Sequence, residues 1–329
     1  MSNLLTHSRL RAWRDCKRKH HLMYGEGWRP VVESDALAFG RLWHQAMEAW
    51  STADDASALD AALAAVDGRA KDPYTQVAIE ELLHGYEAKW AGDRSKYDVL
   101  AIEATFVIPH LNPESGATSR TWLLAGAVDG ILRERATGRI LVLERKATGE
   151  EIANRASPYW ERLELDGQIS QYYLGSEGLG WPVEGCLYDV VHRPGQKPYQ
   201  ATPPEKRRLK KDGTPRKDVR MADETPEEFR LRVRAAIQAE PDRYYQRHPV
   251  PRLESDLRDY LRDAWMEGKT IRDAERLGYA PRNPEACHRF GVCPFWEVCA
   301  RGARPEDRPD LYRHVDDVHP ELDLSGVLA

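Results

Sequence analysis

Apolar residues recur at helical spacing in several stretches of the chain. Trp43, Met47 and Trp50 lie on one side of a helix predicted over residues 36–50. Further helices are predicted over residues 7–24, 55–66, 74–91, 158–174, 226–240 and 252–267. Thr225, which is followed by a proline and two glutamates, is typical of a helix N-terminus.

Strand character dominates the middle of the chain. Residues 98–108, 122–133 and 139–147 are rich in Val, Ile and Leu, and residues 183–192 return to the same pattern. Between the second and third segments, Ala-Thr-Gly-Arg at positions 136–139 predicts a hairpin turn. Strands and helices therefore both contribute, which predicts an α/β fold.

The composition is typical of a soluble globular protein. The 329 residues are 41% hydrophobic and 31% charged, which suffices for one large domain or two modest ones. The longest apolar runs, such as Ile140–Leu143, are too short to span a membrane. No apolar segment follows the first residues, so we predict no secretory signal and a cytoplasmic location in a reducing compartment.

The net charge of -5 conceals an uneven distribution. Residues 1–30 carry seven Lys or Arg and residues 205–220 carry eight, whereas residues 304–329 carry seven acidic and three basic residues. The basic clusters fit local contacts with phosphate groups, and a solvated helix face and a flexible loop are an equally open interpretation. We predict an exposed insertion over residues 195–224 and a loosely held acidic tail.

The third predicted strand carries charges that suit metal-dependent hydrolysis. Alternate residues of a strand face the same side, so Glu144 and Lys146 project together while Arg145 faces the other way. Asp129, near the end of the preceding strand, can lie across the hairpin from Glu144. Two carboxylates beside a cation predict a Mg²⁺ or Mn²⁺ site with a lysine near the attacked phosphate. An ordinary Glu–Lys salt pair at a strand end is the alternative.

Three more side chains have residue types that suit such a site. His44 can supply an imidazole nitrogen to a metal, although taken alone it is more simply a half-buried helix residue. Gln168 and Tyr172 are four residues apart and so share one side of a predicted helix. They could support the charged strand ends and contact a DNA backbone, or they could serve in helix packing.

Four of the five cysteines form a split pattern. Cys287, Cys293 and Cys299 are evenly spaced near the end of the chain, and Cys16 lies far upstream. Structural zinc sites usually present cysteines in closer pairs, so the pattern favours a [4Fe–4S] cluster that ties the two ends of the chain together. Zinc and free thiols remain the alternatives. Cys186, in a predicted strand, is expected to be a buried core residue.

In this order, the motifs resemble the PD-(D/E)XK nuclease superfamily, in particular its RecB-like branch. The matching residues are Gly40 and His44, Asp129, Glu144 and Lys146, and Gln168 and Tyr172. One cysteine before these motifs and three after them resemble the iron–sulfur members, which include the CRISPR-adaptation nuclease and the nuclease domains of AddAB-type recombination helicases. The resemblance covers about residues 8–303, although the basic insertion and the even cysteine gaps depart from it.

The resemblance implies a role for each matching residue. The metal ligands would be His44, Asp129, Glu144 and the carbonyl of Arg145. The residues with catalytic roles would be Asp129, Glu144, Lys146, Gln168 and Tyr172. Among these, Lys146 would orient or activate the attacking water, while Gln168 and Tyr172 would support the site and contact DNA. The cluster ligands would be Cys16, Cys287, Cys293 and Cys299.

The resemblance also implies a domain plan. The fold would be a restriction-endonuclease-like mixed sheet flanked by helices, with a helical insertion and an iron–sulfur domain formed by both chain ends. The expected regions are a basic arm (1–30), a helical region with the histidine (31–96), the nuclease core (97–194), the basic insertion (195–224), a helical region with the cysteine cluster (225–303) and the acidic tail (304–329).

We therefore expect a Mg²⁺- or Mn²⁺-dependent DNA nuclease with a structural [4Fe–4S] cluster, and more specifically an exonuclease acting on single-stranded or free-ended DNA. The basic N-terminal helix, with Trp13 and Trp28, would suit a single-strand channel. Partners implied by the resemblance are DNA and the recombination, repair or CRISPR-adaptation proteins of a bacterium or phage, with no membrane. The alternatives are a non-catalytic DNA-binding or assembly protein on the same scaffold, and a zinc-stabilised interaction module.

Overall fold

The computed structural model describes residues 3–208, 210–211, 214–289 and 291–325. Its strands are β1 (Leu4–Leu5), β2 (Trp28–Pro30), β3 (Tyr97–Leu111), β4 (Thr118–Glu134), β5 (Ile140–Thr148), β6 (Gly185–His192), β7 (Tyr245–Pro249) and β8 (Tyr312–His314). Its α-helices are α1 (His7–Asp15), α2 (Lys17–His20), α3 (Asp35–Thr52), α4 (Ala58–Val66), α5 (Pro73–Trp90), α6 (Pro158–Glu161), α7 (Gly167–Gly178), α8 (Pro226–Ala239), α9 (Pro241–Tyr244), α10 (Glu254–Leu277) and α11 (Trp296–Arg301).

A mixed sheet of six strands forms the centre of the described part of the chain. The strand order is β1-β4-β5-β6-β7, and β3 pairs with β4 outside this path. Strands β1 and β4 are parallel, as are β5 and β6, whereas the β3–β4, β4–β5 and β6–β7 pairs are antiparallel. A separate antiparallel pair joins β2 to β8. The mixed sheet and its flanking helices confirm the predicted α/β class.

Strand β4 changes its neighbour along its length. Leu123 and Leu124 pair with β1, and residues 130–133 pair with β5. Strand β3 pairs along the other side of β4, so β1 and β5 occupy the same side. Residues 125–129 lie between the ends of these two partners. This gap in the sheet gives side chains and ligands access to the middle of β4.

Helices cover both faces of the sheet. On one face, α7 packs through Ile169 against the strands, in a cluster that includes Val142 of β5. On the other face, Trp43 of α3 belongs to a cluster with α4, α5 and α8, and Ala147 of β5 packs against that cluster. None of the described helices has the length and apolar character needed to cross a membrane. Alternate residues of β5 thus face α7 and α3 in turn.

Two predicted helices are interrupted, and each break has a local cause. Cys16 adopts an extended conformation (φ -160°, ψ 112°) between α1 and α2, and a π-helical turn at His21–Gly25 follows. The segment predicted as one helix over residues 158–174 is α6, a 3₁₀ turn and α7. Asp166 is extended there, and its side chain accepts the N–H of Gln168, which starts a new helix. The single-helix predictions over 7–24 and 158–174 were therefore wrong.

Most other predicted elements are confirmed, with small differences at their ends. Thr225 caps α8 in a reciprocal capping box with Glu228. Gly138 has a φ of +76° in the predicted hairpin turn between β4 and β5. Helix α10 runs beyond its predicted end at residue 267 and stops at Gly278, whose φ is +63°. Strand β7 was not predicted, because its polar sequence becomes an edge strand only through pairing with β6.

The acidic tail differs from its prediction. Instead of being loosely held, it pairs with the N-terminal arm through β8 and β2. His319 and Leu322 are buried, His319 lies against the ring of Tyr24, and Leu322 packs beside Leu4. The few apolar and aromatic residues of the tail therefore make packing contacts that its acidic composition did not predict.

The basic insertion, where residues 209, 212 and 213 lie outside the described ranges, is largely exposed as predicted.

Candidate functional site

A cleft of about 240 Å³ opens at the gap beside β4. Five predicted site residues line it: His44, Asp129, Lys146, Gln168 and Tyr172. Residues that sequence reasoning missed also line it, among them Thr6, His7, Glu103, Gln171 and Glu321. The structure thus brings the proposed catalytic groups together from α3, β4, β5 and α7, with further residues from both ends of the chain.

Strand β5 supplies the charges on one side of this site. Glu144 is buried, with a side chain only 1% exposed, and Lys146 is its ion-pair partner. The backbone N–H of Arg145 donates to Oδ2 of Asp129 at 2.6 Å. The guanidinium of Arg145 instead points to α3, where it donates to the carbonyl of Met47 (3.2 Å) and to the hydroxyl of Ser51 (2.7 Å). The alternating orientation predicted for Glu144, Arg145 and Lys146 is what the structure shows.

The electrostatics of this ion pair reflect burial opposed by attraction. Burial raises the pKa of Glu144, and Asp129 adds to this effect, while Lys146 opposes it. Burial would lower the pKa of Lys146, but attraction to Glu144 and Asp129 outweighs it and raises that pKa. Lys146 is therefore a protonated ammonium group at neutral pH, which suits electrostatic stabilisation rather than proton abstraction.

His44 faces Asp129 from α3. Its Nδ1 lies 3.6 Å from Oδ1 of Asp129, beyond hydrogen-bond distance. Burial lowers the pKa of His44, although Asp129 opposes the shift, so the imidazole is neutral and can offer a nitrogen lone pair. Among the described residues, His44, Glu103 and Asp129 form a group whose donor atoms all lie within 4.8 Å of one another. Glu103, which the sequence analysis did not name, is thus the third member of this group.

Glu103 has an unusual backbone for its residue type. It lies within β3 with a φ of +47°, a left-handed conformation that is uncommon outside glycine. Its side chain is exposed at the mouth of the cleft, but partial desolvation of the carboxyl group, together with the charges of Asp129 and Glu48, raises its pKa to about 8. The only signal in the sequence was an acidic residue inside an apolar strand. Its meaning depended on the pairing of β3 with β4, which the sequence does not reveal.

Helix α7 supplies amide and hydroxyl groups. The side-chain amide of Gln168 donates to the Tyr172 hydroxyl at 2.7 Å, as their spacing predicted. Gln171, which the sequence analysis passed over, donates to the carbonyl oxygens of Leu5 (3.0 Å) and Ala125 (2.9 Å). It thereby joins β1 to β4 at one end of the gap.

Helix α7 lies unusually close to the sheet at this site. Phe106 of β3 faces Gly175 of α7 and Gly126 of β4. A Cβ atom on Gly126 would lie 2.8 Å from the Phe106 ring, and one on Gly175 would be closer still. The small size of these two residues therefore allows the helix, and Tyr172 on it, to approach Asp129.

The four predicted cluster cysteines gather where the two ends of the chain meet. Arg18 donates its backbone N–H to the carbonyl of Pro281 (3.0 Å), and Asn283 donates its side-chain amide to the carbonyl of Asp15 (2.8 Å). Burial raises the pKa of Cys293 and of Cys299, and the other three thiols contribute to the shift at Cys299. Cys186, by contrast, is buried in the sheet as predicted.

The two tryptophans expected in a DNA channel serve in packing instead. Trp13 is 4% exposed and belongs to a core cluster with Leu10 and Tyr260. Trp28 lies in β2 against His314 of β8. The expectation that Trp13 stacks on bases was therefore wrong, because the apolar face of α1 is turned towards α10. Part of the basic charge of α1 is also neutralised, since Arg9 and Arg14 pair with acidic residues of α10.

Comparison with known proteins agrees with this geometry. No curated protein matches the chain. A family model described as the PD-(D/E)XK nuclease superfamily matches residues 4–300. The matched range includes β1 at one end, α11 at the other and every predicted catalytic residue between them. With nearly its whole length matched, and with an aspartate, a Glu-x-Lys strand and a histidine meeting at a gap in a mixed sheet, the chain belongs to the PD-(D/E)XK nuclease superfamily.

Proposed function

We propose that the protein is a Mg²⁺- or Mn²⁺-dependent deoxyribonuclease that hydrolyses phosphodiester bonds. The observation that carries this proposal is the convergence of His44, Asp129 and Lys146 on one cleft, in a chain that belongs to a nuclease superfamily. Carboxylate oxygens and a cation in one cleft are what hydrolysis of a phosphodiester requires.

The donor set suits a hard divalent cation. Asp129 offers a carboxylate oxygen and His44 a neutral imidazole nitrogen, with Glu144 next to them. Within the described part of the chain, Oε1 of Glu144 has only the Lys146 ammonium as a partner, and Oε2 accepts no hydrogen bond. A buried carboxylate oxygen without a donor is costly, and a divalent ion would offset that cost. When bound, the ion would polarise the phosphate and the attacking water.

The other side chains have complementary roles. Lys146 would hold the attacking water and stabilise the charge that develops on the phosphate. Because Gln168 donates to the oxygen of Tyr172, the hydroxyl hydrogen of Tyr172 stays available for a phosphate oxygen. The carbonyl of Arg145 remains a predicted further ligand.

Features around the cleft support DNA as the substrate. Thr6 and His7, at the start of α1, line the cleft, and a helix N-terminus favours anionic groups. Glu321 and Leu322 of the acidic tail form another part of the wall. A wall beside the catalytic groups favours a strand with a free end, because a continuous strand needs open space on both sides. The finer proposal is an exonuclease of the RecB-like branch, acting with recombination, repair or CRISPR-adaptation proteins.

We further propose that Cys16, Cys287, Cys293 and Cys299 bind a [4Fe–4S] cluster. The four thiols lie near enough for the other three to influence Cys299, and they are contributed by the two ends of the chain. A [4Fe–4S] cluster bound by them would hold the two chain ends together.

The nuclease proposal is tested with labelled single-stranded DNA, linear and circular, in Mn²⁺. We expect wild type to digest the linear strand and to spare the circular one. Lys146→Ala should lower the rate by about 10²–10³-fold, whereas Lys269→Ala, an exposed lysine of α10, should not. Equal digestion by wild type and Lys146→Ala would refute the assignment. Salt-sensitive DNA binding without cleavage in any divalent metal would support the scaffold alternative.

The cluster proposal has a separate test. Protein purified without air should be brown and contain four iron and four sulfide per chain, the composition of a [4Fe–4S] cluster. Cys299→Ser should lose iron and colour, whereas Cys186→Ser, at a buried core position, should keep both. A colourless wild type with one bound zinc would replace the cluster by a zinc site.

A further inference from the structure

The position of Glu103 is set by strand pairing. Ile102 lies opposite Gly130, and Ala104 lies opposite Val128, so Glu103 comes directly across from Asp129. Residues of a regular strand have a negative φ, whereas Glu103 has a left-handed φ of +47°. The regular strand conformation of β3 is therefore interrupted at this one residue. The break turns the backbone at the point where β4 carries the aspartate of the site.

The two oxygens of Asp129 have different surroundings. Oδ2 accepts the backbone N–H of Arg145 at 2.6 Å, while Oδ1 is the oxygen nearest to Nδ1 of His44, at 3.6 Å. Glu103 adds its own oxygen within 4.8 Å of the donor atoms of both residues. Ligands about 2.1 Å from one ion lie at most about 4.2 Å apart, so small side-chain adjustments would close this set around a cation.

A second observation at the same place indicates a ligand. Glu144, which is 1% exposed, has the Lys146 ammonium beside Oε1, while its Oε2 accepts no hydrogen bond within the described residues. Lys146 contributes one positive charge there. Asp129, Glu103 and Glu144 place three carboxyl groups around the single ammonium of Lys146, and a divalent cation would balance their charges once all three are ionised.

We infer that Glu103 is a direct protein ligand of the divalent ion, held in place by the left-handed turn of β3. The ion would then be bound by side chains from three elements: Glu103 from β3, Asp129 from β4 and His44 from α3. Lys146 lines the same cleft and forms its ion pair with Glu144. This inference rests on the proposed function and adds a ligand that no motif of the sequence identifies.

The test measures Mn²⁺ binding to the full chain by titration calorimetry, without DNA. Glu103→Gln should weaken binding by at least about tenfold. The matched control is Glu48→Gln, since Glu48 is exposed on α3 and acts on Glu103 through its charge. It should weaken binding far less, because it removes a nearby charge but no ligand. Equal losses for the two variants would show a general electrostatic effect and overturn the inference.

A second variant separates ligation from folding. Glu103→Gly removes the carboxylate but suits a positive φ, so metal-free protein should unfold at the same temperature as wild type or higher, while Mn²⁺ binding falls as in Glu103→Gln. Unchanged Mn²⁺ affinity in both variants would overturn the inference even if wild type cleaves DNA. Failure of wild type to cleave DNA while Mn²⁺ binding depends on Glu103 would instead count against the proposed function.

Discussion

Two buried carboxylates on neighbouring strands illustrate two uses of the same chemistry. Asp189 of β6 pairs in register with Arg145 of β5, one position beyond Glu144. Both acids are nearly inaccessible, at 2% and 1% exposure. Asp189 accepts hydrogen bonds on Oδ2 from Tyr86 and from Arg247, the latter at 2.9 Å. Glu144 has a single partner among the described residues, the ammonium of Lys146 on Oε1. The second oxygen of each acid, Oδ1 of Asp189 and Oε2 of Glu144, accepts no hydrogen bond there.

The difference separates a buried charge that contributes to stability from one to which the proposed function assigns a chemical role. Asp189 is held by two donors, Tyr86 and the buried Arg247, and removing its charge leaves Arg247 poorly paired. Glu144 has one partner, the partly exposed Lys146, so its buried charge is less well compensated unless a further cation binds. The sheet therefore combines a structural ion pair at β6–β7 with an incompletely compensated one at β5, and Lys146 of the second pair lines the cleft.

The largest expected effect is on catalysis at Glu144. Glu144→Gln keeps the side-chain volume but removes the charge, so DNA cleavage in saturating Mn²⁺ should fall by about 10²–10³-fold. The free energy of unfolding should stay the same or rise, since the variant removes a poorly compensated buried charge. Cleavage rates and urea unfolding measure the two quantities. A variant that loses stability along with activity would mean that Glu144 is a structural residue like Asp189.

The opposite outcome is expected at Asp189. Asp189→Asn leaves Arg247 buried with only Asp93, at 3.4 Å, as an acidic partner among those described, so the free energy of unfolding should fall by about 3–5 kcal/mol. Cleavage by the folded fraction should change little, because Asp189 does not line the cleft. Urea unfolding and cleavage at low temperature are the measurements. If Asp189→Asn kept normal stability and lost cleavage activity, Asp189 and not Glu144 would be the acid that serves in catalysis.

A smaller effect is expected at Ser51. Its hydroxyl contacts Arg145, which follows Glu144 in β5 and pairs with Asp189 of β6. Ser51→Ala removes the hydrogen bond to the guanidinium of Arg145 and should lower the free energy of unfolding by about 1–2 kcal/mol. Cleavage should be unaffected, because Asp129 is held by the backbone N–H of Arg145 and not by its side chain. A large loss of cleavage would show that the guanidinium also positions the metal site.

The smallest expected effect is a pH dependence of the metal-free protein. The pKa of Glu103 is raised to about 8, above its value of about 4.3 in an unfolded chain. Between these values the folded state keeps a proton that the unfolded state has released, so stability falls as the pH rises towards 8. The melting temperature should therefore be lower at about pH 8 than at about pH 6. Glu103→Gln should reduce this change of melting temperature with pH, and added Mn²⁺ should offset the loss of stability at high pH. If Glu103→Gln leaves the pH dependence unchanged, other groups cause it.

Local signals predicted much of the fold. The reciprocal cap at Thr225, the turn at Gly138 and the apolar stripe of α3 depend on neighbouring residues, so they could be read from the sequence. The alternation along β5 likewise predicted which way Glu144 and Lys146 point. Prediction failed where one capping residue, such as Asp166, ended one helical turn and began the next.

The features that the sequence did not reveal depend on contacts between residues that are far apart in the chain. The two-residue strand β1 has no pattern of its own and exists through its pairing with Leu123 and Leu124. Glu103 and Glu321 reach the cleft through the register of β3 and the course of the tail. Trp13 was assigned to a channel because its burial depends on α10, more than two hundred residues away.

The contact between Phe106 and the two glycines that face it limits how the sequence of this superfamily member can vary. The depth of the cleft depends on the absence of side chains at Gly126 and Gly175, because a single methyl group at either position would meet the Phe106 ring. An alanine there would push α7 and its tyrosine away from the proposed metal ligands without altering any proposed catalytic residue. Such a protein would keep its whole motif and lose the distances on which the motif depends.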